Sequence, residues 1–338
     1  MASSDDFSRM PKVELHRHLE GAIRPSTILD LFRKNRGMFW DLSVDDIAPR
    51  IQIGPGDKSF LDFLAKFEFF MPCIASEADL SRITREAIED CASDGIVYAE
   101  LRFAPIFVQG LTGLSPARVV EAVLEGARET PPGIDVSFIL IIPQPEGERA
   151  GWETVRLARD YMDSGVRGID IAADTRQVGL REYIRPLAWA RSSGLGVTVH
   201  AGESEGPESV RIAVSELGAT RVGHGIRAVE DGATLALLVE RGTVLEVCPT
   251  SNVHTRVVPS IEAHPLMRLM EAGVRVTLNT DDPGISGITL SHEYRLARQV
   301  WGVDPGQFGV TNHNALEAAF ATPAQRTRVA ERIAGQVG

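Results

Sequence analysis

His16 and His18 stand two residues apart in the run Lys12-Val-Glu-Leu-His-Arg-His-Leu-Glu-Gly21. An extended strand repeats its faces every two residues, so both imidazoles point to one side, where a divalent metal can take a nitrogen from each. Alone, the pair is a weak signal and reads more readily as two surface histidines at the end of an edge strand. Three further motifs carry polar groups that are odd in apolar surroundings: His200-Ala-Gly-Glu203, Gly223-His224-Gly225 and Asn279-Thr-Asp281-Asp282-Pro283. Each has a plain reading too. His200 or His224 alone is more often a hydrogen-bonded structural histidine, Glu203 a solvated loop residue, and Asp281-Asp282-Pro283 a helix N-cap. Together, three neutral imidazoles and one carboxylate make a mixed N/O site suited to zinc, with a position left for water. Such a cation lowers the pKa of water to roughly 7. One His, one Glu and one Asp remain to serve as general base, general acid and substrate anchor. This reading ends at metal-assisted hydrolysis with proton relay and names no substrate.

The elements that must position these groups alternate regularly. Apolar, β-branched runs end at His18 and cover Gly95–Arg102, Ile134–Ile142, Val166–Ala172, Gly196–His200, Thr220–His224, Thr243–Val247 and Val274–Asn279. Helical patterns separate them. Continuous apolar strands between amphipathic helices imply a parallel sheet covered by helices. Eight such units in 338 residues favour an α/β fold of the closed (β/α)8 TIM-barrel type, a single domain over 1–338 with closing helices after Ser291. An open doubly wound sheet would need a dinucleotide or phosphate fingerprint. The nearest approach, Gly54-Pro-Gly-Asp-Lys-Ser59, has Asp57 where a P-loop needs glycine, and reads as a turn in a Gly/Pro-rich loop over Pro49–Ser59. A barrel gathers its strand ends on one rim, so the four motifs can converge there. A helix from Phe60 to Pro72 places Phe60, Phe63, Leu64 and Phe67 on one stripe, which suits a core helix or a hydrophobic lid equally.

Composition narrows the partners. The formal charge of -11 argues against nucleic acid or an anionic membrane. The longest apolar run, around Val136 to Ile142, is too short to span a bilayer. Cys73, Cys91 and Cys248 are odd in number and widely separated, and the chain opens without the basic and apolar regions of a signal peptide. A reduced, cytoplasmic setting and a small-molecule partner fit, and self-association is left open.

The motifs Val13-Glu-Leu-His-Arg-His-Leu-Glu-Gly21, His200-Ala-Gly-Glu203, Gly223-His-Gly225, Cys248-Pro-Thr-Ser251 and Asn279-Thr-Asp-Asp-Pro283 resemble the adenosine deaminase family in order and spacing. The resemblance runs from about Lys12 to Phe320 and includes Asp62-Phe-Leu-Ala-Lys-Phe67 and Met71-Pro72. It implies one zinc ion bound by His16, His18, His200 and Asp281. Glu203 would hand a proton to purine N1, and His224 would help to deprotonate and orient the attacking water. Asp282 would bond to N7, and Phe63 and Phe67 would face the ribose side. The implied reaction is hydrolytic deamination of a 6-aminopurine nucleoside, adenosine to inosine and ammonia.

Two departures bear on the substrate. The family's nucleoside enzymes carry Asp where this chain has Glu20, as its adenine deaminases commonly do. They also carry Ala-Gly-Asp-Glu where this chain has Ala172-Ala173-Asp174-Thr175, so Ala173 keeps the N–H that meets purine N3 but adds a methyl group. Adenine, or a 5′-modified adenosine such as aminodeoxyfutalosine, are the related substrates. An inactive barrel that only binds, and a metal barrel cleaving a phosphoester or lactam, are the readings from outside the family's reaction. His254, His264, His292 and His313 match no ligand position and read as surface, cap or packing histidines. Cys248 reads as buried rather than reactive.

Overall fold

The computed structural model describes residues 6–335 apart from 55, 58 and 173–178. Eight strands form one sheet in sequential order: β1 Lys12–His18, β2 Ile96–Phe103, β3 Asp135–Pro143, β4 Val166–Ala172, β5 Gly196–Ala201, β6 Arg221–His224, β7 Val244–Val247 and β8 Arg275–Leu278. Each lies within one residue of the run expected for it, and every paired neighbour is parallel. The sheet closes just beyond β8. Arg17 pairs with Asp281; the Asp281 N–H donates to His16 O at 2.9 Å, and the His18 N–H donates to Asp281 O at 2.8 Å. The residue that completes the barrel therefore also carries a carboxylate of the candidate site.

Helices cover the outside, several of them started by a side-chain cap. Ser76, Ser115, Asp231 and Thr289 each accept the N–H three residues on, as N-caps do. The loop expected from Pro49 is one correction. Pro49 sits inside the helix Val44–Ile51, which a Ser43–Asp46 capping box starts and the buried Ile47 and Ile51 hold down. In so short a helix proline forfeits a single backbone bond, and that packing outweighs it. Short helices at Pro105–Thr112 and Pro249–His254, directly after β2 and β7, also lay outside the sequence pattern. Leu290–Trp301, Pro305–Ala318 and Pro323–Ala334 follow the last strand, and Ala315, Ala319 and Val329 pack on Val13, Leu15, Val97 and Tyr98. Among the described residues no helix is long and apolar enough to cross a membrane.

The strands were expected to be apolar throughout, yet a line of fully buried charges crosses between them. Arg221 Nη2 meets Glu100 Oε2 at 2.5 Å and its Nε meets Glu246 Oε1 at 2.6 Å. Glu246 Oε2 and Asp170 Oδ2 each lie 2.7 Å from Arg102. All five side chains are wholly excluded from solvent. Burial pushes the Glu246 carboxyl up, but the Arg102 and Arg221 guanidiniums outweigh it and hold it well below the usual carboxylate range. Arg221 also donates to Ala318 O at 2.9 Å and stacks on Phe320 at 3.7 Å.

Removing one partner of such a chain leaves the others buried and uncompensated. Arg221→Met is expected to lower unfolding stability in urea by about 3–5 kcal/mol, whereas loss of a surface pair such as Arg118–Glu77 changes it by less than about 1 kcal/mol.

Candidate active site

Every candidate side chain from β1, β5, β6 and the segment after β8 reaches one end of the barrel. The donor atoms of His16, His200, His224 and Asp281 all lie within 4.8 Å of one another. His18 Nε2 adds a fifth, 3.2 Å from both His200 Nε2 and Asp281 Oδ1. Two of these residues hold unusual backbone angles. His224 has φ of 60° and Asp281 of 64°, in the left-handed region that non-glycine residues seldom occupy, and such strain gathers at sites the surroundings over-determine. Beside His16, the register of β1 on β2 shifts between Glu14 and Arg17.

What stands behind each imidazole decides what it offers in front. His16 Nδ1 lies 2.8 Å from Glu246 Oε2, and His200 Nδ1 lies 2.9 Å from Asp170 Oδ2. A carboxylate only accepts, so in both rings Nδ1 carries the proton and Nε2 presents a lone pair. His16 Nε2 is buried without a hydrogen-bond partner among the described residues and faces Asp281 Oδ1 at 3.2 Å. Burial also lowers the proton affinity of His16, His18 and His200, which keeps them neutral. Lone pairs on nitrogen and carboxylate oxygen that converge without a proton between them fit a bound cation. Ser251 Oγ donates to Asp281 Oδ2 at 2.7 Å and fixes that carboxylate.

Beside this cluster lies a cavity of about 320 Å³, the low end of the ~300–1,000 Å³ of small-molecule sites. His224 Nε2 is 3.6 Å from Glu203 Oε2, so the expected proton-transfer residues face each other at its wall. Asp282 is buried, and burial, then the Asp281 and Glu20 carboxylates, push its carboxyl well above the usual range. Gly21 gives Asp282 its room, since a Cβ there would stand 1.7 Å from Oδ1. Glu20 lines the same cavity, accepts the Ala104 N–H at 2.9 Å and is pushed up to about 7 by burial. Phe63, Leu64 and Phe67 turn toward the cavity, which places one face of the helix Phe60–Phe70 on the site as well as on the core. Ala173 lies outside the described residues.

Sequence reasoning missed the residues behind the rings. Glu246, Asp170 and Arg102 are lone charges in apolar runs, and nothing in their spacing marks them as holding histidines. His264, expected at the surface, in a cap or in packing, is buried and reaches Asn252, which in turn reaches His224. Asn252 directly follows the Cys248-Pro-Thr-Ser251 motif, the only hint the chain offered.

Two expectations follow from this geometry. A Cβ on Gly223 would stand 2.9 Å from His16 Cε1 and 3.3 Å from the His200 ring. Gly223→Ala should therefore displace both rings and weaken metal binding about 10–100-fold in chelator competition. His264 is pushed down to about 3, by burial first and then by His224. Its folded value lies below the unfolded value of about 6.5, so the unfolded chain takes up the proton first as pH falls. Stability is unaffected above that value and drains away toward pH 3, by at most about 1.4 kcal/mol per pH unit. Urea unfolding of His264→Gln across about pH 4–6 should show a shallower pH slope by up to one proton.

The family model described as Adenosine deaminase matches residues 11–336 of this chain. The adenosine deaminase of Serratia proteamaculans (strain 568) is 36% identical over 330 residues, covering 97% of this chain and 99% of that protein. Among solved structures, the Arabidopsis N6-mAMP deaminase MAPDA superposes with a TM-score of 0.87 at 28% identity, over 97% of this chain and 99% of the other. A cog1816 amidohydrolase from Burkholderia ambifaria with bound Zn gives 0.86 at 25% identity, over 100% and 93%. A barrel of this topology, a buried His/Asp cluster able to hold a metal and similarity over nearly the whole length lead to one conclusion: the chain belongs to the adenosine deaminase family, hydrolases of C–N bonds in cyclic amidines.

Proposed function

We propose that this protein deaminates a neutral 6-aminopurine nucleoside, with adenosine as the reference substrate, and that its resident metal is a single zinc ion. The observation that carries the reading is the cavity itself. Metal donors, Glu203, His224 and Asp282 line it together with the apolar side chains of Phe63, Leu64, Phe67 and Phe107, and its volume of about 320 Å³ suits a small molecule such as a purine nucleoside. His16, His18, His200 and Asp281 would hold the ion. Bound there, zinc polarises a water molecule into a nucleophile near neutral pH. The Burkholderia ambifaria neighbour holds Zn, which supports the metal assignment by likeness.

The chain's own groups divide the remaining work. Glu203, at the cavity wall beside His224, is placed to donate a proton to purine N1, which makes C6 electrophilic. Purine N7 is an acceptor, so it needs a carboxyl that still carries its proton, and burial keeps Asp282 in that form. Attack of water at C6 breaks the bond to the amino group, which leaves as ammonia. Glu20, Glu68, Glu203, Glu205, Asp281 and Asp282 all line the cavity, with no Lys or Arg among its described lining residues. No described lining residue therefore offers a 5′-phosphate a counter-charge, which favours an uncharged sugar. Adenine itself is the second reading, favoured by Glu20, whose side chain reaches across to the Ala104 backbone on the cavity wall. Three buried free thiols, Cys73, Cys91 and Cys248, suit a reducing compartment.

Glu203→Gln should retain its zinc by metal analysis while kcat for adenosine falls about 10²–10⁴-fold. In a comparison of kcat/KM, adenosine should exceed adenine by about tenfold or more, since sugar hydroxyls meet polar partners only in the nucleoside. AMP should be poorer than adenosine. Faster turnover of adenine than of adenosine would transfer the assignment to the base.

A further inference from the structure

A chain of buried hydrogen bonds behind His224 has a direction that one backbone group sets. The Leu266 N–H can only donate, and it lies 3.2 Å from His264 Nδ1. Nδ1 therefore accepts, and a buried, neutral His264 carries its single proton on Nε2. Nε2 lies 3.1 Å from Asn252 Oδ1 and donates to it. That contact fixes which way the amide faces and aims Nδ2 at His224 Nδ1, 3.0 Å away. An amide NH2 has no lone pair to offer, so His224 Nδ1 accepts. A neutral His224 then bears its proton on Nε2, which points into the site toward Glu203 Oε2 at 3.6 Å and Asp281 Oδ2 at 3.8 Å. Asn252, His224 and His264 are all shut off from solvent, so no water competes for these bonds in bulk.

We propose that Asn252 and His264 are positioning residues that lock His224 as the Nε2–H tautomer, so that His224 gives a hydrogen bond to the attacking oxygen and has no lone pair for a metal or for the water's proton. The inference rests on the deaminase reading of the site and narrows the role first expected for His224, which included deprotonation. It also sorts the imidazoles that crowd the metal cluster. His16 and His200 back onto carboxylates and show lone pairs; His224 backs onto an amide and shows a proton. The third nitrogen ligand is then His18, although the Nε2 of His224 also lies within the cluster.

Histidine-selective ¹⁵N labelling of the zinc-loaded enzyme tests this at neutral pH. The resonance pair that disappears in His224→Gln should show an unprotonated Nδ1 and a protonated Nε2. Asn252→Asp puts an acceptor behind Nδ1, so it should reverse the tautomer and lower kcat about tenfold or more, with KM for adenosine little changed. His264→Gln keeps a donor for Asn252 Oδ1 and should retain kcat near wild type, whereas His264→Leu should not. A wild-type His224 protonated on Nδ1, or on both nitrogens, overturns the proposal, and that spectrum needs no variant to fold. So does an Asn252→Asp enzyme whose tautomer is unchanged. If the wild-type spectrum is as expected but adenosine is not deaminated, the substrate assignment fails and the tautomer assignment stands.

Discussion

The alternating carboxylates and guanidiniums from Glu100 through Arg221, Glu246 and Arg102 to Asp170 hold the molecule to one arrangement. Placing five charges out of water is costly, and apolar residues of similar volume would often stabilise a barrel as well or better. What the chain provides is direction. Glu246 is shared between two guanidiniums and an imidazole, Asp170 between a guanidinium and an imidazole, and Glu100 takes one guanidinium, so strands β2, β4, β6 and β7 cannot slide without stranding a charge. Two of these carboxylates, Glu246 and Asp170, hold His16 and His200 by Nδ1, so the core's electrostatics and the tautomers of the site are one system.

That coupling explains how a crowded cluster stays differentiated. Four histidines stand within 4.8 Å of a common aspartate, and the groups behind His16, His200 and His224 give those three rings different faces. A carboxylate behind the ring pushes a lone pair forward, and a carboxamide pushes a proton forward. The strained backbone at His224 and Asp281 belongs to the same design. Both residues must leave the strand path to aim inward, and closure of β8 on β1 through the Asp281 backbone locks that turn.

In the proposed reading, selectivity comes from the cavity's unequal halves. One side carries carboxyl groups whose protonation burial and mutual repulsion control, Asp282 and Glu20 among them. The other is an aromatic helix face that offers area without charge. In the proposed reading a flat purine with an uncharged sugar suits both, while an anionic tail finds no counter-charge among the described lining residues.

The spacing of apolar runs was enough to read eight strands, their order and the gathering of His16, His18, His200, Glu203, His224, Asp281 and Asp282 at one rim, because periodicity and strand-end position are local properties. The family's motifs were equally legible, being runs of adjacent residues. The helix through Pro49 escaped that reading because its stability comes from Ile47 and Ile51 meeting distant partners. The buried chain escaped for a stronger reason. Glu246 lies 230 positions from His16, and Asn252 lies 28 from His224, so only closure of the barrel brings each backing group to its ring. Residue types determined which atoms could bind a cation or move a proton. Which nitrogen of each imidazole does so depends on the group hydrogen-bonded behind it, and only the tertiary structure decides that.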